Sequence, residues 1–296
     1  MTRRNKIKLA IFIAVDALLV GFSLWMMARP EFHFGNFAVL NPKGIIALKE
    51  RGLMFTSVLL MLFAVVPAYF LLFYFSKKYS AKNNSQNKYS PNLESNLIGA
   101  LIWVVPSVVI FIIAGIIWKS THDLDPYKPI ESNIRPLTIQ VVALRWKWLF
   151  IYPEQNIATV NFIEFPKDTP INFELTSDGP MSTFWIPQLS GQTYAMAAMS
   201  TKLHLMANDT GEFNGLSSEI NGQGYSGMRF VAKATSQNDF EAWVESIKKS
   251  PDILNEDQYN ELEKPSENNP RAYYSMVEES LYNNIMMKYM IPDKAK

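Results

Sequence analysis

Two stretches of this chain run without a charge for longer than a bilayer is thick. One lies between Arg51 and Lys77, twenty-five residues that include Pro67. The other lies between Glu94 and Lys119, twenty-four residues that include Pro106. A helix of about twenty apolar residues spans a hydrocarbon core, and proline is tolerated in such a helix because neighbouring groups satisfy the freed carbonyl. Both stretches are expected to be transmembrane helices. A third apolar run, between Lys8 and Arg29, is interrupted by Asp16 and follows a basic start, Met1-Thr-Arg-Arg-Asn-Lys-Ile-Lys8. A retained signal anchor is the expectation over residues 1–30, and a cleaved signal is the alternative. Asp16 is costly in lipid and is expected to face protein or the interface.

Basic residues set the orientation. The segment from Lys77 to Glu94 carries Lys77, Lys78, Lys82 and Lys88 against one acid. Positive loops stay in the cytoplasm, and the basic N-terminus agrees. Residues 119–296 are then expected on the outer, periplasmic face of a multi-pass chain in a bacterial plasma membrane.

That outer part has a different texture. Asp123 to Arg135 is a polar linker containing Pro126 and Pro129. Short β-rich runs follow: Leu137–Leu144, Trp146–Tyr152, Thr159–Phe165, Ile171–Thr176, Ser182–Ile186, Thr201–Ala207 and Met228–Ala234. Turn residues separate many of them, which points to a sandwich or barrel. Ser236 then stands three residues before Asp239, a helix start. Phe240, Trp243, Val244 and Ile247 follow at helical spacing. Residues 239–296 hold twelve acids and seven bases, read as a solvated or partner-covering appendage.

Several chemistries are excluded. The chain has no cysteine, hence no disulfide, zinc-thiolate site, cysteine nucleophile or cysteine-linked lipid. His33, His122 and His204 are far apart, with no metal-ligand spacing. A formal net charge of +1 gives no argument for nucleic acid. No heme-attachment motif, nucleotide-binding glycine loop or defensible nucleophile–base pair is present.

The segment Gly215-Leu-Ser-Ser-Glu-Ile-Asn-Gly-Gln-Gly-Tyr-Ser-Gly-Met228 keeps the frame of the loop that holds the dinuclear copper centre in subunit II of cytochrome c oxidases. Ser217 and Asn221 stand at the positions of the two bridging cysteines, and Tyr225 stands at that of a histidine. Ser182 stands at the position of the other copper-binding histidine, while Glu219 and Met228 remain. The chain resembles subunit II of cytochrome bo-type ubiquinol oxidases, in the heme-copper oxidase superfamily. The resemblance is carried also by Lys88-Tyr-Ser-Pro-Asn, Trp118-Lys-Ser-Thr-His, Trp146-Lys-Trp, Phe150 to Asn161, Phe184-Trp-Ile-Pro-Gln-Leu and Gln192-Thr-Tyr-Ala-Met-Ala. It covers roughly residues 40 to 290.

The resemblance implies a membrane-anchored all-β chain. Its parts are a transmembrane helical hairpin (40–120), a cupredoxin-like β-sandwich (125–235) and a C-terminal helical arm (236–296). It implies a subunit of a proton-pumping quinol oxidase with no cofactor and no catalytic residue of its own. Hemes and copper are expected in subunit I, which oxidises ubiquinol and reduces oxygen to water. Subunits III and IV and membrane lipid are the further partners. Ser182, Ser217, Glu219, Asn221, Tyr225 and Met228 become positions of a vestigial, metal-free site. Trp146 and Trp148 resemble the aromatic patch through which electrons enter the copper-bearing relatives, and here are candidate interface residues packing against subunit I. Related oxidases carry a glutamate near a proton channel where this chain has Gly99; Glu94 is the nearest carboxylate and the candidate proton-uptake substitute. A stand-alone membrane-tethered binding or assembly factor is the rival reading, and it leaves the family-like hairpin sequence unexplained.

Overall fold

The computed structural model describes residues 37–80 and 96–290, which fall in two units. The N-terminal segment with Asp16, the lysine-bearing segment 81–95 and Glu94 lie outside the described residues.

The first unit holds most of the two long helices, α1 (Ile45–Lys78) and α2 (Asn96–Asp123). They coincide with the two charge-free runs and contain Pro67 and Pro106 within them. Both are long and apolar enough to cross a membrane. They bury almost nothing within the chain: 6% of the most apolar window of α1 and none of that of α2 is covered. Phe73, Trp103, Phe111 and Trp118 stand well exposed along them.

The second unit begins with residues 37–50 and resumes at 124. The start of α1 belongs to it. A helix leaves its first N–H groups without internal partners. Here the Lys43 and Gly44 N–H groups donate to the Gln188 carbonyl, Ile45 to Met206 and Ala47 to Leu189. Gly44 is required at this joint, since a Cβ there would lie 2.6 Å from the Leu189 oxygen and 2.8 Å from that of Met206.

The body of this unit is a sandwich of two sheets. β1 (Leu137–Leu144) pairs antiparallel with β2 (Lys147–Tyr152) and parallel with β5 (Ile171–Ser177). With β3 (Ile157–Val160), β8 (Thr201–Leu205) and, late in the chain, β11 (Ala272–Tyr274), the first sheet runs β11-β3-β2-β1-β5-β8. The second runs β4-β10-β9-β6-β7, built from β4 (Phe162–Pro166), β6 (Ser182–Trp185), β7 (Thr193–Ala195), β9 (Gly211–Ser217) and β10 (Arg229–Thr235). This is the sandwich that the resemblance implies.

The single run expected over Thr159–Phe165 is two strands in different sheets. The chain changes sheet at Asn161, whose φ of +55° lies in the left-handed region that asparagine tolerates better than most residues. All of its polar groups are used. Its N–H donates to Trp148 O and its carbonyl accepts from Val231 N–H. Its Oδ1 accepts from Trp148 N–H and its Nδ2 donates to Asn269 O. β9 is not among the runs expected from the sequence, and glycines within it weaken a strand signal. Gly215 lies opposite Phe230, and its missing side chain makes room for that ring, which a Cβ would meet at 2.1 Å.

The core between the sheets is aromatic. Trp148, Phe150, Phe173 and Phe184 are fully buried, with Phe184 stacked on Phe230 at 5.0 Å between centroids and edge-on to Trp148 at 5.4 Å. Such pairs add about 0.5–1.5 kcal/mol beyond area burial. α3 (Gln237–Ile247) starts as expected: Ser236 Oγ accepts from Asp239 N–H, and Phe240, Val244 and Ile247 are buried. The remainder of the chain, including α4 (Glu256–Leu262) and α5 (Leu281–Lys288), is not merely a solvated appendage. Leu254, Tyr259, Val277, Leu281, Tyr282 and Ile285 pack on Val142, Leu144, Leu149, Ile151, Ala158 and Val160, the outer face of the first sheet. β2 is thereby buried on both faces, and every one of its six residues is buried.

Candidate functional site

The frame-keeping loop emerges from β9, and its far end leads into β10 through a short 3-10 turn, Tyr225–Gly227. Pairing of β6 with β9 sets Phe184 opposite Ser217, which brings the Ser182 end of β6 alongside the loop. Three of the sequence-derived positions converge through one side chain. Asn221 Nδ2 donates to Ser182 Oγ at 2.8 Å and to Met228 Sδ at 3.2 Å. Ser182 and Met228 are fully buried. Ser217 is buried too: its hydroxyl donates to Glu219 O at 3.3 Å and accepts from Thr183 N–H at 3.4 Å. Its backbone N–H donates to Met228 O. Ser182 Oγ donates in turn to Pro180 O at 3.3 Å.

Glu219 takes part through its backbone carbonyl, and Tyr225 through the turn that places Met228, whose N–H donates to Tyr225 O. Both side chains are half-exposed. Asn221 Oδ1 is buried without a partner. The donor set converging here is two hydroxyls, one amide and one thioether. Copper cycling between charge states calls for soft thiolate and imidazole, so these residues do not fit a copper centre. Among the described residues no cluster of three or more His, Asp or Glu side chains could hold a metal ion.

Trp148 is not an interface residue. Strand alternation sends it inward with Phe150 and Tyr152, and it is fully buried between Phe184 and Phe230. Trp146 is half-buried in the turn between β1 and β2, at φ +65°. Its ring lies against the loop: a Cβ on Gly222 would approach it to 3.2 Å and one on Gly224 to 2.5 Å. It packs on this chain's own loop.

Sequence reading missed a second constellation at the edge of the site. Asp178 sits in the turn between β5 and β6, four residues before Ser182, and is 5% exposed. Its carboxylate accepts from the Tyr259 hydroxyl, from the Tyr289 hydroxyl at 2.6 Å and from Lys288 Nζ at 3.1 Å. Lys288 also pairs with Glu263 at 2.7 Å. Burial by itself would raise the Asp178 carboxyl, but the hydrogen bonds from Tyr259, Tyr289 and Lys288 outweigh it and hold the group below its ordinary value. Burial and then Asp178 push the Tyr289 hydroxyl up to about 12. The local signal is an ordinary Asp-Gly-Pro turn, and the partners lie 81 to 111 residues away.

Lys147 is similarly hidden. Its side chain is 2% exposed, and its amine donates to Lys264 O at 2.9 Å and Ser266 Oγ at 2.5 Å. Desolvation lowers the pKa of that amine.

The family model described as the COX aromatic-rich motif matches residues 248–293. The cytochrome bo(3) ubiquinol oxidase subunit 2 of Pseudomonas aeruginosa is 50% identical over 268 residues, covering 90% of this chain and 81% of that protein. The ubiquinol oxidase subunit 2 of Acetobacter aceti is 44% identical over 262 residues, 87% of this chain and 85% of that one. The quinol oxidase subunit 2 of Bacillus cereus is 35% identical over 231 residues, 78% and 79%.

Proposed function

The chain belongs to the ubiquinol oxidase subunit 2 family, and from that premise we propose that it is the non-redox scaffold of a proton-pumping terminal oxidase of the heme-copper type. It is a subunit of a quinol oxidase. The finer reading is that hemes and copper reside in subunit I, which takes electrons from ubiquinol and reduces oxygen to water. This chain clamps that subunit and covers its outer face, with subunits III and IV and lipid completing its surroundings. α1 and α2 span the plasma membrane, and the sandwich stands on the periplasmic side.

One observation carries the redox-free part of this reading. The Asn221 amide bridges Ser182 and Met228, so the vestigial copper positions are closed by hydrogen bonds. The nearly uncovered helices support the scaffold part, because helices in lipid gain stability from close packing against partners.

The test is metal uptake by the purified outer domain, residues 125–296. After copper loading and removal of excess, it retains no stoichiometric copper and shows no purple absorbance. The variant carrying Ser182→His, Ser217→Cys, Asn221→Cys and Tyr225→His, with Met228 in place, takes up copper. Stoichiometric purple copper in the unaltered domain overturns the vestigial-site reading. A folded fourfold variant that binds none overturns the claim that the loop keeps its frame.

A further inference from the structure

The aromatic-rich arm touches the vestigial frame at two separate places. At the first, Tyr259, Tyr289 and Lys288 converge on Asp178. The turn holding Asp178 is itself tied to the sheet, since its N–H donates to Ala143 O, and Ser177 Oγ donates to Ala143 O and Pro180 O. Pro180 O then receives Ser182 Oγ, and Ser182 receives Asn221. At the second place, the arm segment 264–269 lies against the loop's glycines. A Cβ on Gly224 would meet Glu267 Cγ at 2.8 Å as well as the Trp146 ring, and one on Gly227 would meet Asn268 Oδ1 at 2.6 Å.

That segment is anchored from below. Lys147 holds Lys264 O and Ser266 Oγ, and Asn161 holds Asn269 O. Trp146, Asn161 and Asn268 adopt φ of +65°, +55° and +52°. Asparagine tolerates that region better than most residues, whereas Trp146 needs its surroundings to hold it there. Trp146 lies against the loop, and Asn161 and Asn268 lie at the contacts of the arm segment.

We propose that the aromatic-rich arm is a two-point clasp that sets the position of the vestigial-site loop, with Asp178 as the positioning residue at one end and the Trp146–Gly224–Glu267 contact at the other. The proposal rests on the placement of the site given above but not on the oxidase reading. Tyr259 and Tyr289 of the arm act as hydroxyl donors to a buried carboxylate on one side, and Glu267 and Asn268 pack on the loop's glycines on the other. Without the clasp, the β5–β6 turn and the 217–228 loop lose their common support and open more often, while the sheets stay closed.

The test is amide hydrogen exchange on the full chain within the assembled, detergent-solubilised oxidase, read peptide by peptide. Asp178→Ala leaves the Tyr259 and Tyr289 hydroxyls without their acceptor, while Lys288 keeps Glu263. Bonds to charged groups are among the stronger ones, so exchange should accelerate about tenfold or more in 178–183 and in 217–228, with β1 and β2 unchanged. Gly224→Ala supplies an independent arm. Gly224 has ordinary backbone angles, φ −84° and ψ 9°, so only the steric clash is introduced. It should release 217–228 while residues 281–290 stay protected. Lys248→Met, which removes an exposed pair with Glu245, should change neither loop. Exchange that rises in 281–290 alone after Asp178→Ala, together with an unmoved loop in Gly224→Ala, overturns the clasp. Heme content and quinol oxidation of the unaltered preparation are measured in parallel. Their absence would sink the oxidase reading and leave the clasp standing.

Discussion

The two units keep their stability in different places. In the sandwich, large rings such as Trp148, Phe150, Phe173 and Phe184 are wholly hidden from solvent by this chain alone. In α1 and α2, equally large rings such as Phe73, Trp103, Phe111 and Trp118 are mostly uncovered. Apolar content is far higher in the helices, which run charge-free for twenty-five and twenty-four residues, yet composition alone does not say what covers each ring. What separates them is who supplies the covering atoms. The sandwich folds two sheets and an arm over its own aromatics. The helices leave their rings uncovered by this chain, and in lipid the apolar effect gives helices no reason to associate unless packing is close.

The largest expected effect tests the dependence of the helices. Strains lacking the catalytic subunit should lose most of this chain from their membranes, as measured by quantitative immunoblot against an unrelated membrane protein. A steady-state level equal to that of the parent would break the comparison. Next comes Trp148→Ala, which empties a site between Phe184 and Phe230. Removal of a fully buried tryptophan costs about 3–5 kcal/mol, so the outer domain should show a large drop in its urea midpoint. A change within error would mean that the core is not where the sandwich gets its stability.

Asp178→Ala should be intermediate, about 2–3 kcal/mol, the cost of leaving donors to a charged group unpaired, and its pH profile sharpens the assignment. The Asp178 carboxyl is held below its ordinary 3.8. Its contribution is therefore present above that value and is lost as pH falls through the depressed folded one. Tyr289 is raised from 10.0 to about 12. Its contribution is intact below 10 and is lost as pH rises toward 12. Unfolding midpoints across both windows should fall at each end for the unaltered domain. In Asp178→Ala the acid-side fall should be smaller. Equal profiles for the two proteins would remove Asp178 from the account.

The smallest effect should be Phe111→Ala in α2. Its ring is 77% exposed within the chain, so the isolated protein in detergent should change by no more than about 0.5 kcal/mol. A destabilisation several times larger would show that α2 packs within its own chain.

Part of this architecture is written locally and was legible for that reason. Charge-free runs announce α1 and α2, since a single lysine or glutamate in mid-bilayer would be too costly to leave unexplained. The cap at Ser236 and the stripe Phe240, Trp243, Val244 and Ile247 announce α3 within twelve residues. The site loop was legible as a frame through its resemblance over consecutive positions, and its lack of thiolate and imidazole was visible as residue types. That Asn221 would reach both Ser182 and Met228 needed β6 and β9 to be paired first.

Other features depend on partners far along the chain. β9 is not among the expected strands, and glycines weaken a strand signal; only Phe230 on the neighbouring strand gives Gly215 its reason. Trp146 and Trp148 are two residues apart in one short motif, yet one lies in a turn over the loop and the other in the core. Alternation would put residues two apart on one face; the difference is that the strand, expected from Trp146, begins at Lys147 and leaves Trp146 in the turn at φ +65°. Lys147 reads as a surface lysine until the arm, 117 residues later, brings Lys264 O to its amine.

The sequence by itself determined that two segments are long and apolar enough to cross a membrane, that no thiolate or metal-binding histidine pair is available, and where the β-sandwich gives way to its helical end. The tertiary structure alone decided what joins Ser182, Asn221 and Met228 and what the arm covers. The physical reason is range. Hydrophobicity, charge and capping act within a few residues, whereas burial of Lys147 and Asp178 becomes tolerable only when donors and acceptors from the distant arm arrive to satisfy them.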